Sequence, residues 1–183
     1  MYIRYCRGGK KGPRMSTIVN FMKCQDSRVL YLFNQSMKCR PLDILMFMVT
    51  QLGSLPVVVS IALLCLLSPQ PTIVSAGRTL SMVLILTQVI VHFLKWLTSR
   101  PRPFSILDIN SRISAPGFSF PSGHTCAAFA VAITLRSIVP IPAELLVSLA
   151  VLVGISRIYL GAHYPSDVLA GILIAFSVYW VYI

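Results

Sequence analysis

Long apolar runs with few charges alternate along this chain with short polar connections rich in proline and glycine. The first run follows Pro41 and carries no charge from 44 to 67, enough at 1.5 Å per residue to cross a hydrocarbon core about 30 Å thick. Gly53 and Pro56 fall near its middle and predict a bend that a membrane helix tolerates. A turn at 68–71 (SPQP) leads into a second run at 72–97. The third, 121–137, is rich in small residues (Gly123, Ala127, Ala128, Ala130, Ala132), which suits close helix packing. A fourth covers 143–160 and stops at Gly161; the fifth starts at Pro165 and ends in Tyr179, Trp180 and Tyr182, an interfacial aromatic belt. Ahead of these spans, apolar and polar residues interleave over 16–40, too polar to cross a bilayer and suited to one or two short helices lying in the interface. Residues 1–15 are basic, glycine-containing and aperiodic, and read as a disordered tail, or as sequence upstream of a start at Met15.

Composition agrees with this pattern. The chain is 56% hydrophobic and 11% charged, where a soluble domain carries about a quarter charged residues. The expected fold is all-α: an integral membrane bundle of about five transmembrane helices over 41–183, preceded by the interfacial amphipathic segment. The net charge of +11 comes from sixteen Lys and Arg against five acids. Uncharged apolar runs of this length exclude a nucleic-acid binder, so anionic membrane lipids or an anionic substrate are the expected partners. The five cysteines lack metal-ligand spacing and read as small hydrophobes without a disulfide framework. The first forty residues lack the apolar region and cleavage site of a signal peptide.

Against this background the polar residues of 95–103 (KWLTSRPRP), 120–124 (FPSGH) and 156–167 (SRIYLGAHYPSD) are costly, and charged groups inside membrane segments mark working sites. Counting crossings places them together. With spans two and three joined through 98–119, and four and five through 161–164, Lys95, Arg102, His124, Arg157, His163 and Asp167 all fall on one face.

Their chemistry is that of a phosphoryl group. A helix beginning at Pro121 would offer free amides at Ser122 and Gly123, where phosphate binds through donors and dipole together. The Ser122 hydroxyl adds a donor, and Lys95, Arg102 and Arg157 supply positive charge. His163 can be ordered by Asp167, which fixes its tautomer and leaves its other nitrogen nucleophilic. His124, beside the phosphate-binding amides, can protonate a departing alkoxide. A cycle through phosphohistidine then needs no metal and no cofactor, and three cations aimed at one spot argue against a metal held by the histidines and the aspartate. His92 reads as a helix-packing residue, Arg100 and Arg112 as head-group or solvent contacts.

The three stretches resemble the signature of the type-2 phosphatidic acid phosphatase superfamily. Lys95, Arg102 and Pro103 match its first motif, Pro121 to His124 its second, and Ser156, Arg157, His163 and Asp167 its third. The resemblance runs from about Asp43 to Ile183. It implies a membrane lipid phosphatase with His163 and Asp167 as the nucleophile pair, His124 as the acid, and Lys95, Arg102, Ser122, Gly123 and Arg157 as phosphate ligands. Undecaprenyl diphosphate is the first substrate it suggests, phosphatidylglycerophosphate or phosphatidic acid the next. A non-catalytic lipid-phosphate transporter or scaffold is the competing class, and a haloperoxidase the third. The resemblance implies a site at the outer face of the cell membrane, whereas the basic N-terminal segment, by the positive-inside rule, implies the cytoplasmic face.

Overall fold

The computed structural model describes residues 17–107, 109, 111, 116–136 and 138–183, with backbone alone at 17–23, 35 and 36. The tail expected over 1–15 lies outside these residues, as does Arg112. Eight helices follow one another, with no strand among the described residues: α1 (Thr17–Tyr31), α2 (Arg40–Gln51), α3 (Leu55–Leu66), α4 (Pro71–Thr98), α5 (Pro103–Ile106), α6 (Gly123–Leu135), α7 (Ala143–Tyr159) and α8 (Pro165–Tyr182). A π-helical turn, Leu32–Ser36, continues α1. Proline starts most of them. Pro41, Pro56, Pro71, Pro103 and Pro165 each occupy the first turn of a helix, where the missing N–H would have had no intrahelical acceptor.

The first apolar run is broken at Leu52–Ser54, and α2 and α3 meet at 45°. Gly53 makes this break possible: a β-carbon there would lie 2.5 Å from the carbonyl oxygen of His124. The broken span therefore packs directly against the start of α6.

Five crossings were expected; among the described residues two stretches, Pro71–Ile106 and Pro165–Tyr182, are long and apolar enough to cross a membrane singly, and α2 with α3 passes the same test as a bent pair. At 13 residues, α6 is only about 20 Å long. It can be short because its neighbours α4, α7 and α8 sheathe it. Its residues Cys126 to Ala130, with Ala132 and Ile133, are buried around its whole circumference and form the centre of the apolar core. Lipid thickness thus does not set its length. Phe47, Leu64, Ile85 and Leu173 on the outer helices stay exposed, as a lipid-facing surface requires.

Cys24, in α1, is disulfide-bonded, and its partner lies outside the described residues. This corrects the reading of all five cysteines as unpaired hydrophobes; Cys39, Cys65 and Cys126 are free.

Candidate active site

The C-terminal ends of α4 and α7 and the N-terminal ends of α5, α6 and α8 meet at one end of the bundle. His163 sits at their centre, on the connection from α7 to α8. Gly161, at φ +73°, ends α7 in the left-handed region that glycine adopts freely. The chain then doubles back, and the amides of Ala162 and His163 both donate to the carbonyl of Arg157, at 3.0 and 3.3 Å. This turn fixes the imidazole relative to the arginine two residues before the helix end.

The His163 ring is buried, and its Nδ1 donates to the carbonyl of Ser119 at 2.7 Å. That bond sets the tautomer and puts the lone pair on Nε2, which accepts a long hydrogen bond from Nη1 of Arg102 at 3.4 Å. Asp167 was expected to receive this proton directly. Its Oδ2 stands 3.6 Å from Nδ1, too far for a hydrogen bond. The carboxylate is committed elsewhere, because Oδ2 accepts the Tyr164 amide at 2.9 Å and the Ser119 hydroxyl. Asp167 thus caps α8, holds Ser119 in place, and lends its negative charge to His163 from a short distance.

Burial pushes His163 down to about 4, with Arg157 and Arg102 acting in the same direction and Asp167 opposing them. The ring is therefore neutral near pH 7, as a nucleophile requires.

His124 opens the first turn of α6 and is half-buried. It lies within electrostatic reach of Arg157, His163, Lys95 and Arg102, and Lys95 within reach of Arg102, Arg157 and Asp167. Ser122 is the N-cap of α6, its side chain accepting from the Thr125 amide at 3.4 Å. The amide of Ser122 is not free, since it donates to the carbonyl of Asp167 at 3.0 Å. The donors that this helix start offers an anion are consequently the amides of Gly123 and His124, one residue later than expected. The cause is that α6 begins at Gly123 rather than at Pro121.

Arg102 is clamped by backbone carbonyls, Nε on Gly117 at 3.1 Å and Nη2 on Pro116 at 3.2 Å. Arg157 gives Nη1 to Thr50 Oγ1 at 2.9 Å. Its Nε is a buried donor with no acceptor among the described residues. A buried guanidinium nitrogen left unpaired in this way is poised for an incoming oxyanion.

Three participants escaped the sequence reading. Thr50 orients Arg157 from the broken first span, and Ser119 bridges His163 to Asp167. Arg100, expected to meet head groups or solvent, instead donates to Asp167 Oδ1 at 2.7 Å and to Asp26 Oδ2 at 2.8 Å. His92 makes the expected local hydrogen bond, Nδ1 to the Gln88 carbonyl at 2.7 Å, but it stands exposed rather than packed between helices.

The family model of the PAP2 superfamily matches residues 76–183, which include all five helix ends that meet at His163. The chain belongs to the PAP2 superfamily. Among solved structures, this PAP2 chain superposes on the crystal structure of Aquifex aeolicus LpxE with a TM-score of 0.76 and 29% identity, over 85% of this chain and 93% of that one. It is 36% identical over 88 residues to undecaprenyl-diphosphatase BcrC of Bacillus subtilis, covering 48% of this chain and 46% of the relative. It is 35% identical over 102 residues to lipid A 1-phosphatase of Rhizobium johnstonii, covering 52% and 42%. The chain thus spans about half the length of the curated relatives it matches. Helix α1 lies outside the region that the family model matches.

Proposed function

We propose that this chain is a phosphatase of phosphorylated membrane lipids, acting through a phosphohistidine on His163. The observation that carries the reading is the Nδ1 bond to the Ser119 carbonyl, which keeps the lone pair on Nε2, where only a long hydrogen bond from Arg102 engages it, with the unpaired Nε of Arg157 in the same site.

In the first step Nε2 attacks the terminal phosphorus, forming the N–P bond as the P–O bond to the leaving group breaks. His124 gives its proton to the departing oxygen, and Arg102, Arg157, Lys95 and the amides of Gly123 and His124 hold the charge that builds on the phosphoryl oxygens. Water then attacks the phosphohistidine, His124 takes its proton, and inorganic phosphate leaves with His163 restored. The residues carry the whole cycle, so the activity is metal-independent. Asp167 stabilises the positive charge that His163 acquires in the intermediate.

The preferred substrate is a polyprenyl diphosphate, by likeness to the undecaprenyl-diphosphatase; lipid A phosphate, phosphatidylglycerophosphate and phosphatidic acid are the alternatives. The site works at the outer face of the membrane. The disulfide at Cys24 supports that placement, because α1 lies at the site's end of the bundle and disulfides persist in oxidising compartments.

Phosphate release is measured in detergent from a panel of these four lipids, with and without EDTA. Turnover is expected with at least one of them, fastest with the diphosphate, and unaffected by the chelator. No release from any of the four would overturn the function, and loss of turnover on chelation would overturn the metal-free cycle.

A further inference from the structure

We infer that Asp26, on the N-terminal helix α1, is a positioning residue of the active site that acts through Arg100 on Asp167; this rests on the phosphatase reading above. Asp26 is 7% exposed although its helix lies at the rim of the bundle. Its Oδ1 accepts the amide of Ser166 at 3.0 Å, and its Oδ2 accepts the Ser166 hydroxyl at 2.5 Å and Arg100 Nη2 at 2.8 Å. The other arm of the same guanidinium, Nη1, reaches Asp167 Oδ1 at 2.7 Å and Ser166 Oγ at 2.8 Å. Arg100 also lies over the Tyr164 ring, 4.0 Å from its centroid.

One planar cation is thus held between two buried carboxylates, one from α1 and one beside the nucleophile. The two-pronged geometry is specific to arginine. Helix α1 is fixed there by more than this ion pair. Leu30 is fully buried against Ile158 and Val168, and Asn34 Nδ2 donates to the Tyr159 carbonyl at 3.2 Å.

The consequence is a division of charge. Asp167 needs its negative charge to support positive charge on His163, and an arginine facing Asp167 alone would neutralise it. Asp26 draws part of the Arg100 charge away and holds its plane, so Asp167 keeps both its position and its field. The groups facing His163 from the packed elements are Asp167 on α8, Arg157 on α7, Arg102 at the start of α5 and His124 on α6. Lys95 on α4 reaches His124 and Asp167. Arg100 and Asp26 modulate the sole carboxylate in that set.

The test compares Asp26→Asn, Arg100→Gln and the double variant in the full chain, with the lipid that the wild type turns over fastest. Asparagine still accepts from Ser166, so the fold is kept, and the thermal transition in detergent reports on it. Each single variant is expected to lose about tenfold in kcat with KM little changed, and the double variant to lose no more than either, since the two residues act as one unit. Arg100→Gln is further expected to raise the pH at which kcat/KM falls on the acid side, because Asp167 freed of its cation makes His163 more basic. Asp26→Glu restores activity in part. Where Asp26→Asn lowers the thermal transition, the acid-side shift of Arg100→Gln decides.

Wild-type kinetics from Asp26→Asn, losses that multiply in the double variant, or an unmoved acid limb in Arg100→Gln would overturn the inference. An inactive wild type fails the phosphatase reading itself, whereas an active wild type beside an indifferent Asp26→Asn fails the inference alone.

Discussion

At the scale of single residues, His163 is prepared for chemistry by what its two nitrogens face. Nδ1 is spent on a backbone carbonyl, and Nε2 looks toward arginines that disfavour a proton on the ring. An unfolded imidazole titrates near 6.5, and this one in the folded chain at about 4. Between these values the unfolded chain binds more protons, so the contribution of His163 to stability rises with pH across that window and is lost below it. In the proposed mechanism the same sign governs activity: the lone pair that would attack phosphorus is present above about 4 and is lost as pH falls through it. A profile of kcat/KM for a substrate whose own ionisation is known should keep its acid limb near pH 4, not near 6.5. The motif residues were legible because each is expensive in a membrane segment and has few structural reasons to be there. Arg100 was not, since two arginines separated by one proline look alike in sequence, and only the fold shows which of them faces carboxylates. Ser119 escaped because a serine in a polar connection carries no signal of its own.

At the scale of elements, Pro165 foretold a helix start and Gly53 with Pro56 the bend, since all act through local backbone geometry, whereas Pro121 misled, because α6 begins two residues later, and the start of α5 at Pro103 was not foreseen. The length of α6 was less legible, whereas α7 ends within one residue of the expected run. A periodic apolar run announces a helix but not whether lipid or protein surrounds it, and α6 is enclosed by protein. The bend also connects fold to site in a way that the sequence did not disclose. Gly53 touches the His124 backbone, and Thr50, one turn earlier, holds Arg157. Gly53→Ala therefore forces a β-carbon onto a carbonyl oxygen that cannot rotate away. The substitution is expected to cost about 1–3 kcal/mol of stability and to lower kcat by displacing His124. A thermal melt in detergent, paired with turnover, checks both, and an unchanged melting temperature would contradict the close approach.

At the scale of the whole molecule, five helix ends of a basic, apolar chain are brought to one end of a helical bundle. The bundle presents apolar side chains outward to lipid and titratable ones inward at that end. Two opposing cues bear on which face of the membrane this end occupies, the basic N-terminal segment and the disulfide at Cys24, and the outer face is the placement proposed above. Ile106, 60% exposed at the end of α5, provides a reporter. Ile106→Cys in a Cys39→Ser background should react with a membrane-impermeant thiol reagent added outside intact cells, and reaction only after lysis would place the site inside. The central claim, that His163 carries the phosphoryl group, is tested most directly by trapping. The wild-type chain is mixed with lipid substrate labelled in its terminal phosphate, quenched in alkali within one turnover, digested and mapped by mass spectrometry. The account predicts phosphate on His163, absent from His163→Ala, which should also lose at least about four orders of magnitude in kcat. Label on another residue, or turnover by His163→Ala close to that of the wild type, would contradict it.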